Sequence, residues 1–185
     1  NPLLADYYQE ATYAAAANAI RAMALGNCAS SVSVTKMIVP NANTGENVNG
    51  AVTAPAGWEF TASAASPVAI TDPIKATTGD GTGTVNFPIV LPSTQSSATV
   101  TLAESQQQGY QLVTQAGKRA VCTRQDTGAP VAVTNDASSQ YGFSVDVPAT
   151  TGVSCIVYNR APDERASIAL EKYWVINGAA RVPDG

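Results

Sequence analysis

An amine, a carboxyl and a carboxamide sit in matching phase on three separate β-like runs of this chain. In 31–39 (SVSVTKMIV), alternation puts Val32, Val34, Lys36 and Ile38 on one face. In 98–104 (ATVTLAE) the matching row is Ala98, Val100, Leu102 and Glu104, and in 153–159 (VSCIVYN) it is Val153, Cys155, Val157 and Asn159. Successive side chains of a strand point to opposite faces, so each polar residue extends an apolar, core-facing row. Each of these groups is costly to bury alone. Together they are the reagents for an amide cross-link between side chains. Burial among valines favours a neutral, nucleophilic Lys36 amine. Asn159 would offer the carbonyl carbon. A protonated Glu104 would polarise that carbonyl and then carry a proton to departing ammonia. The reaction would happen once, so it is not turnover catalysis. The same residues also suit a buried Lys36–Glu104 ion pair with Asn159 as hydrogen-bond partner, and the residue pattern leaves both readings open.

The bulk numbers narrow the chemistry further. The chain has 185 residues, enough for one domain with a real core plus extra pieces. It contains no histidine, which removes the commonest general base and metal ligand and excludes a Ser-His-Asp or Cys-His site. A formal net charge of −4 gives no basic surface for nucleic acid or an anionic membrane. Charged residues are only 13%, while Ala, Thr, Val, Ser and Gly dominate, a composition that reads as extracellular. Of the three cysteines, Cys122 and Cys155 lie in strand-like runs, and no pair has metal-ligand spacing. A Cys122–Cys155 disulfide is expected, the alternative being two buried thiols. Cys28 is left over, either reduced or bonded outside the chain. No metal and no cofactor is expected. The chain begins at Asn1 without a leader and lacks a bilayer-spanning apolar run, which reads as a mature or cut fragment.

Three regions must position these groups. Residues 1–28 form an Ala-rich segment in which 2–26 read as one helix, with Pro2 in its first turn and Gly26 as its stop. Leu4, Tyr8, Ala11 and Ala15 share a stripe, and Ala14–Ala17 would let another backbone approach, within the domain or on a neighbouring copy. From 30 to 160 the chain reads as short strands between turn signals, with strands at 31–39, 47–53, 58–63, 84–91, 98–104, 110–115, 119–124, 131–134, 142–147 and 153–159. That spacing predicts a mainly β fold, an antiparallel sandwich with Trp58, Phe60, Phe87, Leu91, Tyr110, Leu112, Phe143, Val145 and Val147 in its core. Residues 161–185 read as a polar linker (APDER) and one more strand. There, Ile168, Leu170, Lys172, Trp174 and Ile176 alternate, again with a lysine in an apolar row, as in the first strand of a tandem repeat or in an exchanged strand.

VTK on a first strand, TLAESQQQGYQLV in the middle and CIVYNRA at the end resemble the Cna B-type (SpaA-like) domains of Gram-positive surface proteins and pilins. The cysteine-bearing second half is similar to tandem repeats of large actinobacterial cell-surface proteins. The middle run resembles the family's E-box, here Glu104 followed by Gly109-Tyr110, with Ala103 where the usual motif has Thr and Ser105-Gln106 where it often has Ala-Pro. The resemblance covers roughly 30–160. It implies a prealbumin-like (Ig-like) β-sandwich and no enzymatic turnover. It also implies a role in adhesins or pilus shafts at the cell surface or cell wall, and an isopeptide bond between Lys36 and Asn159 assisted by Glu104. The expected partners are neighbouring domains or copies of the chain, and a host or matrix ligand in the case of an adhesin. Two other readings stand beside the structural module: a self-assembling filament subunit exchanging 166–178 as a strand, and an N-terminal ligand-binding adhesin domain. The acidic residues Asp72, Asp80, Asp126, Asp136 and Asp146 are scattered, and TGDGTG (78–83) reads as turn chemistry.

Overall fold

A computed structural model describes residues 30–163 and, in backbone only, the pairs 175–176 and 179–180. The expected helix over 2–26, Cys28 and Lys172 lie outside the described residues. Thirteen strands occupy the main body: β1 (Ser31–Val39), β2 (Val52–Thr53), β3 (Glu59–Ala64), β4 (Ala69–Ile70), β5 (Ile74–Ala76), β6 (Thr84–Val90), β7 (Ser97–Glu104), β8 (Gln111–Val113), β9 (Val121–Arg124), β10 (Pro130–Val131), β11 (Val133–Asn135), β12 (Gly142–Pro148) and β13 (Val153–Arg160). No helix occurs among the described residues, and none there is long and apolar enough to cross a membrane.

The strands form two sheets. One runs β10-β9-β13-β1-β6-β4, with β2 also on β1 and β8 also on β13; the other runs β11-β12-β7-β3-β5. Most long strands obey the period-two rule, but β1 departs from it: Ser33 and Val39 are buried beside Val32, Val34 and Lys36, and Ile38, expected on the inward row, is only half-buried. In β7, Ala98, Val100, Leu102 and Glu104 are buried, and in β13, Val153, Cys155, Val157 and Asn159 are buried. The inward rows of both sheets meet in one core, where Val32, Val34, Phe87 and Val157 from one sheet join Phe60, Leu102, Phe143 and Val145 from the other. The arrangement is sandwich-like. Pairing is antiparallel throughout with one exception: the first strand and the thirteenth run parallel, Val34 opposite Cys155 and Lys36 opposite Val157.

Several expected boundaries are corrected. Of the strand expected over 47–53, only Val52–Thr53 pairs. Asn43 donates to the carbonyls of Asn47 and Asn49, and the Asn49 amide donates to the Asn47 side chain, so asparagines capture the backbone in turns before it can enter a sheet. The run 131–134 is broken at Ala132, where the chain leaves β10 in one sheet and enters β11 in the other. Strands β4 and β5 are short and punctuated by Pro67 and Pro73, and their sequence carries no clear alternation. Leu91, Tyr110 and Leu112 are only part-buried, packed against the core from its margin. Only the end of the expected strand 168–176 is described: β14 (Val175–Ile176) pairs antiparallel with β15 (Ala179–Ala180), two residues further along.

Candidate functional site

The three groups singled out by phase come together. Lys36 and Asn159 are 0% exposed and Glu104 is 6% exposed. Lys36 stands on β1 and Asn159 on its parallel neighbour β13, two residues beyond the position directly opposite Lys36. Glu104 reaches them from the end of β7 in the facing sheet. Its two carboxyl oxygens take separate partners. Lys36 Nζ donates to Oε2 at 2.6 Å, and Asn159 Nδ2 donates to Oε1 at 2.5 Å. The carboxyl therefore bridges the amine and the carboxamide.

The backbone around Lys36 is held equally tightly. Its N–H donates to the Gly83 carbonyl at 2.8 Å, and its carbonyl accepts from the Ala54 amide at 2.9 Å. Gly83 has φ +60°, and a Cβ there would lie 2.9 Å from the Lys36 carbonyl oxygen and 3.0 Å from the Ala54 nitrogen. The glycine serves both the left-handed turn and the close approach. Trp58 lies under the ammonium, its ring centroid 4.6 Å from Nζ, and meets the Tyr110 ring edge-on at 4.9 Å.

Burial governs the protonation of the pair. It brings the Lys36 ammonium down to about 8, against the opposing pull of the Glu104 charge and hydrogen bond. It raises the Glu104 carboxyl above the usual range, against the charge and hydrogen bond of Lys36 and the hydrogen bond from Asn159. Both shifts favour the uncharged forms, a free amine beside a carboxylic acid. Those are the forms in which an amine attacks and a carboxyl delivers a proton.

Two features were not anticipated. Glu104 meets the amide nitrogen of Asn159 and not its carbonyl, as the sequence had suggested; Asn159 Oδ1 is buried without a hydrogen-bond partner. And Gln106 belongs to the cluster, its Oε1 accepting from Asn159 Nδ2 at 2.6 Å. Its signal was present in the sequence, since 102, 104 and 106 share one phase, but the strand ends at Glu104 and the alternation was read no further.

Cys122 and Cys155 form a disulfide, as expected. They face one another across β9 and β13 with Cα atoms 4.1 Å apart. The bond therefore joins neighbouring strands of a single sheet and does not cross the sandwich. Among the described residues no group of three or more His, Cys, Asp or Glu is placed to hold a metal. Asp80 caps its own turn, accepting from the Thr82 amide and hydroxyl. No protein-family model matches the chain, and no curated protein or solved structure matches it.

Proposed function

We propose that residues 30–160 are a structural module of an extracellular surface protein or pilus-like fibre, a prealbumin-like sandwich of the Cna B type. In this reading its first and last long strands are locked by an isopeptide bond from Lys36 to Asn159. The observation that carries the reading is the bridging carboxyl of Glu104, with the amine on one oxygen and the carboxamide on the other.

The geometry supports a balanced sequence of steps. The neutral Nζ attacks Cγ of Asn159. Oε2 of Glu104 takes a proton from that nitrogen, and the carboxylic proton on Oε1 passes to Nδ2. The Cγ–Nδ2 bond breaks, ammonia leaves, and an amide joins Nζ to Cγ. Glu104 ends protonated as it began. Folding replaces concentration: three groups on three strands meet without diffusion, which accounts for a reaction of a poor electrophile proceeding unaided by turnover machinery. The absence of histidine is consistent with this use of a carboxyl as the proton carrier.

Intact mass under reducing conditions tests the bond. The protein should weigh one ammonia less than its sequence, and Lys36→Ala should restore the full mass. A wild-type chain of full mass sinks the proposal and leaves a buried ion pair.

A further inference from the structure

Resting on the cross-link reading, we infer that Gln106 is a positioning residue that sets the orientation of the Asn159 carboxamide, so that its nitrogen faces Glu104 as the leaving group. A protonated Glu104 both donates and accepts, and on its own it cannot choose which end of the Asn159 amide it meets. Gln106 can. Its Nε2 donates to the Tyr110 carbonyl at 2.7 Å, which turns its Oε1 toward Asn159. That oxygen only accepts, so only the NH2 end of Asn159 can face it, and Nδ2 does so at 2.6 Å. The same nitrogen then lies 2.5 Å from Glu104 Oε1, the atom that must protonate it. A half-turn of the amide would set two carbonyl oxygens against each other.

Gln106 also lines a pocket of about 320 Å3 with Tyr110, Gln111, Leu112, Gln140 and Tyr141. The residue that accepts from the leaving nitrogen thus borders open space, while Asn159 itself stays buried. As Nδ2 becomes ammonia, it gains a proton while keeping its hydrogen bond to Gln106. A hydrogen bond that strengthens as charge develops accelerates the step, and one of this kind corresponds to roughly tenfold to a hundredfold in rate.

The test follows the full chain during cell-free synthesis. Synthesis is stopped, samples are quenched in acid denaturant at intervals, and the reduced mass is read for loss of ammonia. Gln106→Met fills the same space without an acceptor, and Gln106→Glu keeps the acceptor. Disulfide formation in each variant reports folding independently. The expected result is loss of ammonia slowed about tenfold or more in Gln106→Met, and restored in Gln106→Glu with a new acid limb in its pH profile as the introduced carboxylate protonates. A Gln106→Met chain that folds and cross-links as fast as wild type, or faster, overturns the inference while leaving the cross-link intact. Should Gln106→Met fail to form its disulfide, Gln106→Glu decides alone, and a rate without the new acid limb counts against Gln106. A wild-type chain that never loses ammonia removes the cross-link reading itself.

Discussion

Replacing the buried pair with neutral groups separates a covalent lock from an ion pair by the sign of its effect. The variant is Lys36→Met combined with Glu104→Gln. Met keeps an unbranched chain in contact with Trp58, and Gln keeps an acceptor for Asn159 Nδ2. In the cross-link reading this variant loses a closed loop. The Cys122–Cys155 bond shortens that loop, which then runs from 36 to 122 and from 155 to 159, roughly 90 residues in all. Opening it costs about 4–5 kcal/mol through the unfolded chain. For a body of about 130 residues, with an unfolding entropy near 2.1 cal/mol/K per residue, the midpoint falls by roughly 15 °C. In the ion-pair reading the same change removes two desolvated charges, which is neutral or stabilising by about 1–4 kcal/mol. Thermal unfolding followed by near-UV circular dichroism, with the disulfide intact, measures the difference. A variant as stable as wild type, or more stable, refutes the covalent reading.

Reducing Cys122–Cys155 opens a loop with a sequence separation of 33 and should cost roughly 3–4 kcal/mol, read as a lower denaturant midpoint; an unchanged midpoint would show that the pairing of β9 with β13 needs no clamp. Asn159→Ala removes the electrophile and leaves Lys36 titrating. The folded amine, at about 8, binds its proton less tightly than the unfolded one at 10.5, so stability should rise as pH climbs from about 8 to 10.5, by about 3 kcal/mol. The raised carboxyl acts in the opposite direction at lower pH, its contribution present below its ordinary value of 4.5 and lost as pH rises through its folded value. Denaturant unfolding at stepped pH checks both, and a wild-type chain showing the same alkaline rise would mean that its amine is still free. Gly83→Ala forces a methyl into the Lys36 carbonyl at a φ of +60°, and should cost about 2 kcal/mol or more and slow ammonia loss; unchanged values for both would mean that the turn does not hold the lysine.

What the sequence revealed and what it hid divide along physical lines. The span of β1 and the inward rows of β7 and β13 followed from alternation, because a buried face must be apolar every second residue. Lys36, Glu104 and Asn159 were legible as exceptions to that rule. The parallel run of β1 beside β13 was not, since alternation fixes which face is buried but not the direction of a neighbour. Gln106 continues the phase of Leu102 and Glu104, but it lies past the strand end, where hydrogen bonds to Tyr110 and Asn159 hold it in place of a ladder. The orientation of the Asn159 amide depends on a side chain 53 positions away, and no local pattern encodes it. Strand 47–53 failed for the opposite reason: its pattern was adequate, but asparagine side chains offered the backbone nearer partners.

The parallel pair explains why two locks would be built on one strand. With β1 and β13 running side by side in the same direction, the start of β1 and the end of β13 lie at opposite ends of the sheet, so tension between them shears the two strands. Shear loads their hydrogen bonds together, but all of them are non-covalent. A bond from Lys36 to Asn159 would carry the load from the first long strand to the last through one amide, with only Arg160 of β13 beyond it and Ala161 donating to Val39 across the same junction. The intervening strands would then bear no tension. The disulfide answers a different threat. It sits four residues before Asn159 on the same inward row and ties β13 to β9, its neighbour on the side away from β1. Peeling β9 from β13 would free Val153–Ile156 and leave Asn159 held on that side only by the three-residue β8, loosening the strand that shields the carboxyl from water. A wet Glu104 would ionise, hold Lys36 as an ammonium, and stop the proposed cross-linking. Chains folded under reducing conditions should therefore lose ammonia more slowly than chains allowed to form Cys122–Cys155 first. Equal rates in the two conditions would mean that the two locks are independent.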